Sequence, residues 1–296
     1  MTELSYNYYN LIDFFSQKQL DGRLFLCDEK ECASVFSVNN QKQKKEDLTA
    51  PNMWEKYFVN FFEYRANEFE KENKINNISK MIKKMIKKCN QKENNIDVHY
   101  WAELIYNNAQ KYNISEKLLI AIIAKETDGS YKKNVNGEFG AGPMQVTKDT
   151  AEDLFDSYQA KYVYKFLNPE LFDEIMNSNN TDNKKCNFSS PKDLRNACSK
   201  NDELGIKVGI LCFQVKYVRV VAKFKNISVI AAIRKLKDGS LVLSPKEQEK
   251  CINLALQDYN GVPSSKAKEQ YATEVCDSLT SIGVDYKNLP VIPVTT

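Results

Sequence analysis

Apolar and polar positions alternate along the chain with helical spacing over most of its length. Trp54, Phe58, Phe61 and Phe62 fall at i, i+4, i+7 and i+8, one face of a helix that begins near Pro51. Ile75, Ile78, Ile82, Met85, Ile86 and Cys89 continue such a stripe, while Lys80, Lys83, Lys84, Lys87 and Lys88 cover the opposite side. Two readings fit that segment: a helix docked on the protein with a solvated Lys face, or a basic helix (74–92) making weak contact with a membrane or an anionic wall polymer. The polar stretch Gln91–Asp97 reads as a linker. Beyond it a near-continuous helical region runs from about His99 to Ser281, with Trp101, Leu104 and Ile105 marking a first helix. Ser115 to Glu126 forms a second, whose centre, Leu118-Leu-Ile-Ala-Ile-Ile-Ala124, is apolar all round and therefore expected to be buried on every side.

Further helices are expected over Gly205–Lys223 and Ser228–Leu236. Ser190-Pro191-Lys-Asp193 and Ser244-Pro245-Lys-Glu247 have the form of helix N-termini, the second with a capping box. The first 50 residues suggest a short helix at Tyr8–Phe15 and short strands at Arg23–Cys27 and Ser34–Val38. The domain reading is an N-terminal region 1–97, a main helical domain 98–281 with an insertion at about 155–200, able to fold without residues 1–90, and a tail 282–296. The fold class is mainly α.

Composition agrees and narrows the chemistry. The 296 residues contain only 10 Gly and 8 Pro, few breakers for so long a chain, with 42% hydrophobic and 27% charged residues. A single histidine, His99, leaves little room for Ser-His-Asp, Cys-His or HExxH chemistry, so carboxylates are the expected workers. Phosphate-loop and dinucleotide glycine motifs are absent, no CxxC pair suggests zinc, and no cofactor or metal is expected. The net charge of +3 is too small to imply nucleic acid, and no apolar run reaches membrane-spanning length. Of eight cysteines, Cys27/Cys32 and Cys186/Cys198 are candidate disulfides, whereas Cys212 is expected to be a buried thiol.

Chemistry concentrates after the apolar helix. Four of the ten glycines, Gly129, Gly137, Gly140 and Gly142, fall between residues 129 and 142. A buried helix thus ends on a carboxylate, Glu126, and a glycine-rich loop follows. Burial disfavours the charged form, so the Glu126 pKa is expected to rise, as a general acid near neutral pH requires.

The stretch Glu126-Thr127, then Gly140-Ala-Gly142-Pro143-Met144-Gln145-Val146, resembles the soluble, goose-lysozyme-like lytic transglycosylases. Their pattern is Glu-Ser at a buried helix end, a Gly-rich loop and Gly-Leu-Met-Gln. Asn201-Asp-Glu-Leu-Gly205 resembles the family's Asn-Ile-x-x-Gly helix, and Ala255-Leu-Gln-Asp-Tyr259-Asn260-Gly261 its Ala-Tyr-Asn-Ala-Gly block, with Tyr271 near the expected Tyr-Val. The resemblance covers about 98 to 280. It departs in Thr127 for Ser, Pro143 for Leu, and Asp258 before Tyr259 where Ala is usual.

The resemblance implies cleavage of peptidoglycan glycan strands between N-acetylmuramic acid and N-acetylglucosamine, with a 1,6-anhydro product. Glu126 would be the acid and base. Thr127, Gly142, Met144, Gln145, Tyr259, Asn260 and Tyr271 would form the substrate site. A hydrolysing muramidase would need a second carboxylate, for which Asp128, Glu138 and Asp149 are candidates. A non-catalytic glycan-binding or virion protein is the third reading. A monomer is expected, acting at the bacterial wall or periplasm. No signal peptide is visible, so a phage-encoded, virion-associated or otherwise non-classically exported protein is expected.

Overall fold

The computed structural model describes residues 51–93, 96–133, 135–137, 140–155, 158–177, 188–261, 264–286 and 289–293. The expected elements before residue 50, and the side chains of Trp54, Phe58, Phe61 and Phe62, lie outside the described residues. Two compact units are present, residues 1–66 and 67–296. The described part of the first is the opening of α1 (Pro51–Lys88).

The second unit is a helical assembly. After α1 come α2 (Val98–Tyr112), α3 (Glu116–Glu126), the short strands β1 (Gly140–Ala141) and β2 (Val146–Thr147), and α4 (Lys148–Phe155). Then follow α5 (Tyr158–Leu167), α6 (Pro169–Met176), α7 (Pro191–Cys198), α8 (Asp202–Lys225), α9 (Val229–Lys237), α10 (Pro245–Tyr259) and α11 (Ser265–Ser281). The two strands pair antiparallel, Gly140 with Thr147 and Ala141 with Val146.

Two helices carry the core. Residues Leu118 to Ala124 of α3 are no more than 2% exposed, as expected of a helix apolar all round. In α8, 17 of its residues are buried, among them Ile206, Ile210, Phe213 and Val218. Helices α10 and α11 pack on these two and complete the layer around the end of α3. The capping box expected at Ser244 and Glu247 opens α10 as read, and Ser190 caps α7 through Asp193.

The domain boundary differs from the sequence expectation. Ile75, Ile78, Ile82, Met85 and Ile86 are buried in the core of the second unit. That unit begins at residue 67, before the polar stretch 91–97 that reads as a linker. The Lys face is also partly engaged: Lys83 pairs with Glu93 at 2.7 Å, Lys84 donates to the Ser281 carbonyl, and Lys88 to the Ser278 hydroxyl at 3.2 Å. Polarity at 91–97 marks a surface loop between two packed helices, not a boundary.

Nor are residues 289–293 a loose tail. The fully buried Gln214 donates to the carbonyls of Tyr112 and Val291 at 3.1 and 2.9 Å, and the Ser115 amide donates to Pro290 at 2.9 Å. Cys198, a candidate partner of Cys186, is a buried free thiol; Cys186 lies outside the described residues, as do Cys27 and Cys32. The described parts of the 155–200 insertion form α5, α6 and α7, which contribute Leu167, Leu171, Ile175 and Leu194 to the core. No helix among the described residues is long and apolar enough to cross a membrane.

Candidate active site

Glu126 is the last residue of α3. The helix stops there because Thr127 leaves helical geometry and returns its hydroxyl to the Ile123 carbonyl at 2.7 Å, while Asp128 and Gly129 take positive φ (48° and 69°). Gly129 also lets Cys89 approach: a Cβ at that position would lie 2.5 Å from the Cys89 Cβ. Tyr131 locks the turn from below, its hydroxyl donating to the Ile120 carbonyl at 3.0 Å. The carboxyl is thereby presented by a rigid, buried helix.

A hairpin supplies the opposite wall. Between β1 and β2 the turn Gly142–Gln145 uses positive φ at both ends, 73° at Gly142 and 48° at Gln145. It packs closely on α8, where Gly205 and Gly209 replace side chains that would collide: a Cβ on Gly205 would lie 2.8 Å from Pro143 Cδ, and one on Gly209 2.5 Å from Met144 Cβ. Arg195 of α7 donates to the Gly137 carbonyl at 2.7 Å and ties down the approach to the hairpin.

Between these walls lies a cavity of about 230 Å³ lined by Glu126, Gly140, Gln145, Val146, Thr147, Thr150, Gly209, Cys212, Tyr259 and Asn260. The Tyr259 hydroxyl donates to the Met144 carbonyl at 2.8 Å, joining the end of α10 to the hairpin. From α11 the Tyr271 hydroxyl donates to Glu126 Oε1 at 2.5 Å. Burial dominates the electrostatics of Glu126 and raises its pKa from 4.5 to about 7, against the Tyr271 hydrogen bond and the nearby Lys125, which pull it down. Burial likewise pushes both tyrosines well above the usual phenol range, so they stay neutral donors.

Glu126, Gln145, Tyr259 and Asn260 therefore meet in one cavity. Four other sequence candidates are placed differently. Met144 is fully buried with its side chain against Gly209, so only its backbone serves the site. Gly142 is wedged against the Cys198 carbonyl and Gly205, Thr127 closes the helix, and Tyr271 contacts Glu126 from behind. Gly140, Val146, Thr147, Thr150, Gly209 and Cys212 also line the cavity, beyond the site residues expected from sequence. The available signal was the Gly205–Gly209 spacing on an apolar helix, which marks a close backbone approach, with Cys212 one turn further on.

Two of the three candidate second carboxylates, Asp128 and Asp149, do not line the cavity. Asp128 lines a separate cavity of about 420 Å³ with Lys88, Cys89, Lys125 and Glu274, and Asp149 is exposed on α4. Glu138 lies outside the described residues. Asp258 is exposed and does not line the cavity.

A helical core that presents one partly buried acid beside a glycine-rich hairpin is a lysozyme-like arrangement. Residues 103–172 match the family model described as Transglycosylase SLT domain, which supports the soluble lytic transglycosylase, lysozyme-like family. The match includes Glu126 and the hairpin; Tyr259, Asn260 and Tyr271 lie beyond it. No curated protein and no solved structure matches the chain.

Proposed function

We propose that the protein is a peptidoglycan lytic transglycosylase that cleaves the β-1,4 bond between N-acetylmuramic acid and N-acetylglucosamine and leaves a 1,6-anhydromuramic end. The observation that carries this reading is that Glu126 is the only carboxylate lining the cavity among the described residues, and its pKa is raised to about 7.

Such a group is poised to serve twice. Protonated, it gives its proton to the glycosidic oxygen as the C1–O bond breaks. The muramic 2-acetamido group stabilises the positive charge at C1, a substrate-assisted route that needs no second protein carboxylate. The resulting carboxylate then takes the proton of the muramic 6-hydroxyl as that oxygen closes on C1. Glu126 ends as it began, and no water is consumed. Tyr271 orients the carboxyl through its hydrogen bond. Gln145, Asn260 and the hydroxyls of Thr147 and Thr150 offer the polar edge that orients sugar rings.

Digestion of purified wall in ¹⁸O-water, followed by mass spectrometry of the fragments, tests the reading. Unlabelled anhydro ends are expected. Predominantly labelled reducing ends would establish hydrolysis instead and make the protein a muramidase. Absence of any cleavage, with glycan binding retained, would leave a binding protein.

A further inference from the structure

Between Glu203 and Asp238 the chain carries eight Lys and Arg residues and no acidic residue. Five of them fall in the last turns of α8 and α9, and the end of α8 meets the start of α10, because Lys225 reaches Glu247 at 2.7 Å. Phe224 is 38% exposed there, with the ammonium groups of Lys225 and Lys250 at 5.4 and 5.3 Å from its ring centre. Arg219 and Lys223 on α8, and Lys246 and Lys250 on α10, are exposed. Of the nearby acids, Glu247 is taken up by Lys225 and by capping Ser244, and Asp238 by Ser240; Glu249 is exposed, and Asp153 of α4 lies close enough to Tyr164 to act on it together with Arg219.

Helix dipoles explain part of this pattern. Cations in the last turn of α8 and α9 face the negative ends of those helices. They do not explain Arg219, well before the end of α8, nor Lys246 in the first turn of α10, where a cation meets the positive end of the dipole. These two charges are left without a local electrostatic role, as a surface that attracts an external polyanion allows.

We propose that this end of the molecule docks a linear polymer of phosphodiester groups carried alongside the glycan in the wall. Lysine and arginine heads spread over two helices match phosphates repeated along a flexible chain. The exposed apolar side chains, Phe224 and Val242, are too few to seat a bilayer-inserted face. Helices α8 and α10 join the two sites. Gly209, Cys212 and Tyr259 line the cavity at one end, and Lys223 and Lys246 lie about 16 and 20 Å further along these helices at a rise of about 1.5 Å per residue. The polymer is held beside the cut strand without entering the cavity. The wall setting rests on the proposed function; the binding itself does not.

The test uses the full chain, with linear inorganic polyphosphate as the probe. Parent protein is expected to bind with an affinity that falls steeply with salt. The triple variant R219Q/K223Q/K250Q should bind at least about tenfold more weakly, with the slope against log salt reduced by about two to three. It should cleave glycan stripped of phosphate polymers at the parental rate and melt at the parental temperature. Binding within about twofold of the parent would overturn the proposal. So would an equal loss in K80Q/K87Q/K92Q on and just after α1, which would reduce the effect to net charge. Preference for anionic phospholipid vesicles, abolished by Phe224→Ala, would make the surface a membrane face instead. Polyphosphate binding by a protein that cleaves no glycan would refute the proposed function and leave the docking surface standing.

Discussion

Replacing the acid should make the protein more stable, and only where that acid would otherwise be charged. In Glu126→Gln the amide keeps the shape of the side chain and can still accept from the Tyr271 hydroxyl. The parent carboxyl has a pKa of about 7 in the folded protein and about 4.5 when solvated. The folded state thus holds its proton more tightly. Below about pH 4.5 both states are protonated and the full stability is present. As the pH rises towards 7 the unfolded chain releases the proton first, and stability is lost until the folded group ionises too. Displacement of the pKa from 4.5 to about 7 corresponds to about 3 kcal/mol at about 1.36 kcal/mol per pH unit, an upper bound because the groove side of Glu126 meets water. Urea unfolding at pH 5 and pH 9 measures it. The variant should match the parent within about 0.5–1 kcal/mol at pH 5 and exceed it by roughly 2–3 kcal/mol at pH 9, with an unchanged denaturant slope. Wall clearing should fall at least about 10²-fold at every pH. A stability difference that does not vary with pH would refute the raised pKa, and with it the argument that burial makes Glu126 an acid.

In the parent, cleavage should decline as the pH rises through about 7, where the acid form disappears. Tyr271→Phe removes an interaction that lowers the Glu126 pKa, so this alkaline limb should move upward while the maximal rate drops; a pH–rate profile at saturating substrate reads both, and an unmoved limb would show that the tyrosine does not bear on the acid. Gly209→Ala puts a methyl 2.5 Å from Met144 Cβ, so the hairpin must retreat; an activity loss of about tenfold or more with about 1–3 kcal/mol lower stability is expected, and a neutral variant would contradict the close packing. Met85→Ala should cost about 2–5 kcal/mol, and a chain beginning at Asn94 should fail to melt cooperatively; independent folding of that chain would place the boundary after α1.

How far the chain can be read without coordinates follows from where each residue's partners lie. The helix ending at Glu126 is legible because seven successive apolar residues admit only burial, and burial alone raises the acid's pKa. The capping box at Ser244 and Glu247 and the Ser190 cap are local and fold as written. What escapes is direction. Met144 sits within the glycine-rich signature, yet its side chain turns inward because Gly209 opens a hole for it, and the two residues are far apart in sequence. The resemblance implies a sugar contact for Tyr271, but α11 brings its hydroxyl to Glu126. The polar run at 91–97 imitates a linker because nothing in its composition reveals that Ile82 and Met85, just upstream, are fully buried.

The Tyr271–Glu126 contact joins residues 145 positions apart in sequence. Until α11 has been synthesised and docked, the end of α3 is open to water, and Glu126 is an ordinary carboxylic acid, ionised at neutral pH. Its potency is therefore assembled late, by the arrival of a distant helix, not inherited from the segment that carries it. The glycine-rich signature alone does not supply that burial, because α11 lies far beyond it in sequence. The raised pKa of Glu126 thus reports that nearly the entire second unit has folded around it.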